Sequence, residues 1–136
     1  MATAGYSGTP LLKKLGLKEG QRVWLIHPPD NYFQLLEADI SSQVCGREEV
    51  PDWVHLFAAT KKVFDQGMRP LAAVCRKNPR IVIWVSWYKK SSGVASDMTE
   101  DVIRGYELSN GLVDIKVCAV SDLWSGLKLV VPLNKR

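Results

Sequence analysis

The 136-residue chain has no apolar run near the roughly 20 residues that cross a bilayer, which excludes a transmembrane helix. It has few cysteines: Cys45, Cys75 and Cys118, with no CxxC. An odd count at wide spacing excludes a disulfide framework. Each thiol has apolar neighbours, so buried free thiols in a reducing compartment are expected. Histidine is scarcer still, His27 and His55 being the whole supply. Zinc sites need clustered thiolates or imidazoles, so no metal is expected. Lys and Arg outnumber Asp and Glu by 18 to 14, yet no basic arm or arginine-rich stripe concentrates them. That scatter argues against nucleic acid as a partner. Met1-Ala2-Thr3-Ala4-Gly5-Tyr6 lacks the basic and apolar regions of a secretory signal, so a cytoplasmic location is expected.

What remains is an ordinary globular balance, 46% hydrophobic and 24% charged. The length suits one domain, residues 1–136, with 1–8 loosely ordered. Thr9-Pro10 reads as a cap and first helical residue, and the short helix stops at Gly16. Arg22–Ile26, Trp53–Ala58 and Ile81–Trp87 are continuous apolar runs bounded by turn residues. Such runs fit strands buried on both faces. Ser42–Cys45 reads as a short edge strand. Asp30 is placed to cap a helix over Asn31–Glu37. Thr60 precedes two helical pieces, Lys61–Gln66 and Arg69–Lys77, separated by Gly67 and Pro70. Asp97 and Glu100 form a capping-box-like start to a helix over Met98–Asn110. Leu112–Val120 and Trp124–Val131 are joined by three residues, which permits only an antiparallel pair. The expected fold is α/β: three layers, a mostly parallel sheet, and a C-terminal antiparallel hairpin strand.

Several phrases carry a resemblance: Tyr6-Ser7-Gly8-Thr9-Pro10, Lys13-Lys14-Leu15-Gly16, Trp87-Tyr88-Lys89-Lys90, Ser92-Gly93-Val94-Ala95, Thr99-Glu100-Asp101-Val102, and Val117-Cys118-Ala119-Val120 through Trp124-Ser125-Gly126-Leu127. Across nearly its full length the chain resembles a family of small uncharacterised bacterial proteins, a domain of unknown function. The block from Ile81 to Lys128 also resembles the end of Rossmann-like methyltransferases. That resemblance implies a Rossmann-like, methyltransferase-like scaffold and carries no activity of its own. The chain departs from the methyltransferase pattern after its first strand. A glycine-rich turn is needed there for close approach of a cofactor. His27-Pro28-Pro29-Asp30-Asn31 stands there instead, and the prolines remove two N–H donors. No cofactor is therefore assigned.

Ligands of open α/β sheets sit at the carboxyl ends of the parallel strands. Four segments are expected there: His27–Asn31, Ala59–Lys62, Tyr88–Gly93 and Ser121–Ser125. They supply two weak catalytic candidates, His27 and Asp122, for handling protons. They also supply Lys89, Lys90, Ser91, Ser92, Trp124 and Ser125 as ligand-binding candidates. The lysine–serine run precedes a helix and could cradle a phosphate or carboxylate, although Asp97, Glu100 and Asp101 already place negative charge there. His27 reads more readily as a strand-end residue than as a base, and Asp122, Trp124 and Ser125 read as turn chemistry. The five tryptophans fall inside strand patterns, where core packing is expected.

The composite reading is a non-catalytic binding or adaptor module on a scaffold that lacks the cofactor loop. Its partner is a protein or a small anionic ligand. The alternative is a small enzyme, or an anionic or nucleotide-like ligand binder, working at the strand ends.

Overall fold

The computed structural model describes residues 10–136, so the Thr9 cap, the loosely ordered stretch and the Tyr6–Thr9 phrase lie outside it. Five strands make one sheet: β1 Val23–Ile26, β2 Trp53–Phe57, β3 Val82–Tyr88, β4 Val113–Ala119 and β5 Trp124–Val130. Their order is β1-β2-β3-β5-β4. β1 pairs with β2, and β2 with β3, in parallel. β5 is antiparallel to both β3 and β4. The sheet is mixed, and the mostly parallel expectation holds only in part: the hairpin supplies one antiparallel strand, β5, but its insertion between β3 and β4 makes two of the four ladders antiparallel.

The strands alternate as their sequences require. Trp24, Ile26, Val54, Leu56, Ile83, Val85, Leu127 and Leu129 join one buried cluster. Val23, Trp53, Phe57, Trp84 and Trp124 join the other. α3 (Lys61–Met68), α4 (Leu71–Lys77) and α5 (Glu100–Asn110) cover the first face. α1 (Leu11–Leu15) and α2 (Tyr32–Leu36) cover the second.

Helix starts follow hydroxyl caps. Thr60 accepts from the Val63 N–H, and Thr99 from the Val102 N–H. Asp97 is therefore not the cap of α5; its carboxylate accepts from the Lys61 N–H at 2.8 Å. Asn31, not Asp30, precedes α2, and no side chain caps that helix. Phe64, Gly67 and Met68 form the inward stripe of α3, and Gly67 lets the helix settle against Leu56. Ser41–Gln43 is a 3-10 turn, and Val44 bridges to Val23 in parallel. The expected edge strand is thus reduced to one bridge on the outer side of β1.

That bridge matters for topology. After β1 the chain crosses under α2 to the outer edge, then returns to start β2 on the other side of β1. After β2 it crosses over α3 and α4 on the opposite face. The β1–β2 and β2–β3 connections thus lie on opposite faces, and ligands of such sheets sit at the carboxyl ends of the parallel strands. Of the described residues, no helix is long and apolar enough to cross a membrane.

Candidate functional site

The sheet register brings the loops after β1, β2 and β3 and the β4–β5 turn to one edge. The crevice there is not continuous. Ser96 Oγ donates to the Ala59 carbonyl at 2.7 Å, and Asp97 receives the Lys61 N–H. These bonds draw the loop before α5 over the end of β2. Two separate depressions result. One, of about 480 Å³, is lined by Pro28, Pro29, Asp30, Tyr32 and Phe33 at the end of β1. The other, of about 490 Å³, lies at the end of β3 beside the start of α5.

The second depression collects four of the expected ligand-binding residues: Lys89, Lys90, Ser91 and Ser125. Trp87, Tyr88 and Thr99 complete its wall. Glu100 and Asp101 line it too, so it is zwitterionic rather than purely cationic. Glu100 is paired with Arg104 at 2.7 Å. The carboxylates offset the positive end of the α5 dipole, as their sequence position implies.

Ser92 and Trp124 do not join this wall. Ser92 Oγ donates to the Lys89 carbonyl at 2.6 Å and receives the Val94 N–H, closing the 3-10 turn Lys90–Ser92. Trp124 is buried, stacks on Tyr88 with ring centres 4.0 Å apart, and meets Phe57 edge-on. Its indole is core. The two catalytic candidates are also separated. His27 follows β1 and Asp122 sits in the β4–β5 turn, with β2 and β3 between them. Three strand spacings of about 4.8 Å keep them too far apart to share a proton. His27 is exposed and holds a left-handed backbone, φ 54°, where glycine would be unstrained.

The imidazole with a hydrogen-bonding constellation is His55, which sequence reasoning read only as part of a buried strand. Tyr32 Oη lies 2.7 Å from its Nδ1, and Ser86 Oγ lies 2.8 Å from its Nε2. A neutral imidazole serves both hydroxyls with one N–H and one lone pair. His55 and Ser86 are fully buried. Desolvation lowers the His55 pKa to about 3 and raises that of Tyr32. The ring also stacks on Phe57 at 4.3 Å. A base this weak, sealed under α2, orders the core and meets no substrate in this conformation. The continuous apolar run around it alone flagged its burial; its partners stand 23 and 31 residues away, and nothing local announces them.

A third polar cluster lies on the other face. Glu107 of α5 is buried, bonds to Asp114 of β4, and has no partner for its Oε1 among the described residues. Burial, then the Asp114 carboxylate, pushes its pKa up to about 8. Arg104 reaches the same Asp114 at 3.5 Å. Burial thus favours the protonated form of Glu107 beside Asp114, where α5 meets the edge strand. Among the described residues no three His, Cys, Asp or Glu side chains converge as metal ligands.

The molecule is thus an α/β protein built on a five-stranded mixed sheet, with loops gathered at the ends of three parallel strands. No protein-family model matches the chain, and no curated protein sequence matches it. A solved structure similar to it is a protein in the NADB-Rossmann superfamily from Streptococcus agalactiae. The TM-score is 0.45 and the identity 8%, over 90% of this chain and 68% of that one. So distant a likeness carries no argument about chemistry.

Proposed function

We propose that the chain is a non-catalytic binding or adaptor module, one three-layer Rossmann-like domain on a methyltransferase-like scaffold. The observation that carries this reading is the turn after β1. Pro28 and Pro29 line the depression at the end of β1, where a cofactor loop would present N–H groups. The burial of His55 and Ser86 supports the same reading, because the groups best suited to acid–base chemistry are committed to packing. The test is a methyl-transfer assay with S-adenosylmethionine and pooled small-molecule and protein acceptors. No turnover is expected. Turnover that disappears in His27→Ala or Asp122→Asn would sink the reading.

A second reading is favoured by one feature. Lys89, Lys90, Ser91 and Ser125 share a single depression, which suits an anionic or nucleotide-like ligand. Calorimetric titration with ADP and with pyrophosphate tests it. Lys89→Ala combined with Lys90→Ala should weaken binding while leaving the thermal midpoint unchanged. Equal binding by the double variant would end this reading.

A further inference from the structure

A cleft of about 450 Å³ opens at the sheet edge opposite the strand-end loops. The register locates it there. Val82 and Val113 both pair with Val130, so the starts of β3 and β4 share an edge with the end of β5. The cleft lies between α4 and the end of α5. Its floor is apolar, formed by Leu71, Leu112 and Val131. Its rim carries Arg76 and Lys135, and no carboxylate lines it. Neither cation forms a salt bridge among the described residues.

Lys135 Nζ lies beside the glycine that ends α5. Gly111 ends α5 with φ 67°, and a Cβ there would lie 3.4 Å from Lys135 Nζ. Any other residue would be strained and would crowd the ammonium. Cys75 and Tyr106 form part of the wall. Burial raises both their pKa values, so both are neutral at physiological pH. The result is a trough of mixed apolar and polar lining whose two charged residues, Arg76 and Lys135, are both cations. Its size falls inside the roughly 300–1,000 Å³ of small-ligand sites.

We propose that this cleft is a second binding site, taking a small amphipathic monoanion: a carboxylate on a short alkyl body. Arg76 and Lys135 hold the head, and Leu71, Leu112 and Val131 cover the body. The site is independent of the strand-end depressions, so it stands or falls apart from the reading above.

The test uses octanoate as the probe and Cys75 as the reporter. The intact protein is alkylated with iodoacetamide at mildly alkaline pH, and peptide mass spectrometry follows each cysteine. Cys45 and Cys118 lie outside the cleft and act as internal controls. Octanoate should slow alkylation of Cys75 and leave the other two unchanged. Arg76→Ala with Lys135→Ala replaces exposed side chains, so the fold should persist, as circular dichroism will show. That variant should need roughly tenfold more octanoate for the same protection, since charge-assisted bonds to the head are lost. No selective protection of Cys75, or protection that the double variant keeps at the same concentration, would overturn the proposal.

Discussion

The two faces of the sheet are built from the same strands by different means. Under α3, α4 and α5 the strands present Ile26, Val54, Leu56, Ile83, Val85, Leu127 and Leu129, with tryptophans at the margins. That face is held by area and shape. Under α1 and α2 the strands present Trp53, His55, Phe57, Trp84, Ser86 and Trp124. There each polar group is placed. The Trp53 and Trp84 indoles both donate to the Leu15 carbonyl, at 3.1 and 2.8 Å, and so hold the end of α1 against the sheet. Gly126 lets the Trp84 ring lie across β5, since a Cβ would come within 3.3 Å of it. Two five-residue helices cannot bury as much apolar surface as three longer ones. Hydrogen bonds and ring contacts supply the difference. This contrast explains why reactive-looking residues crowd one face without forming an open site.

The comparison can be broken most forcefully on the hydrocarbon face. Phe64 is fully buried and packs edge-on against Tyr106. Phe64→Ala should cost about 3–5 kcal/mol in urea unfolding, with no change in the pH profile. A small loss, or an altered profile, would mean that this face is not held by packing alone.

On the polar face the largest effect is titration. His55 has a pKa of about 3 when folded, against the usual 6.5. As pH falls through that window the unfolded chain takes a proton that the folded chain refuses. Stability is fully present above about 6.5 and is lost toward pH 3, by on the order of 4 kcal/mol. His55→Leu should remove this acid limb. At neutral pH the same variant should lose about 2–4 kcal/mol, because Tyr32 and Ser86 keep buried hydroxyls without partners. Adding Tyr32→Phe and Ser86→Ala should restore much of that loss. If the triple variant is worse than His55→Leu, the three residues are not one hydrogen-bonded unit.

The smallest effect sharpens the contrast at the join between α5 and β4. The pKa of Glu107, raised from 4.5 to about 8, makes it a proton donor in the fold. Its contribution is present below about 4.5 and is lost as pH rises through 8. Glu107→Gln keeps a donor toward Asp114 and cannot ionise. It should therefore flatten the alkaline decline in thermal midpoint measured from pH 6 to 9. An unchanged decline would place the titrating group elsewhere.

Much of the scaffold was legible because burial imposes periodicity. The three apolar runs became β1, β2 and β3 within a residue at each end, and Pro70 accompanied a break between α3 and α4, whereas Gly67, expected to end the first piece, lies inside α3. What failed was pairing between distant segments. The three residues Ser121 to Leu123 between the expected strands required an antiparallel hairpin, but nothing local said that β5 would insert beside β3. Asp97 was a sound cap by spacing, yet Lys61 claimed it from 36 residues away. Lys89, Lys90, Ser91 and Ser125 line one depression because the loop after β3 and the start of β5 meet at one strand end. Ser92 and Trp124 were misplaced because a hydroxyl closing its own turn, and an indole closing a core, look the same in sequence as a binding rim. The Arg76–Lys135 cleft gave no signal, since its walls come from three segments far apart in the chain.

The central proposal is that the proline turn after β1 leaves this strand end without a cofactor role. The most direct measurement is an amide NMR titration with S-adenosylhomocysteine, followed at His27, Asp30 and Asn31. The account predicts that these amides stay fixed at millimolar ligand. Saturable shifts there, with His27 moving most, would contradict it and return the depression after β1 to the role of a cofactor site.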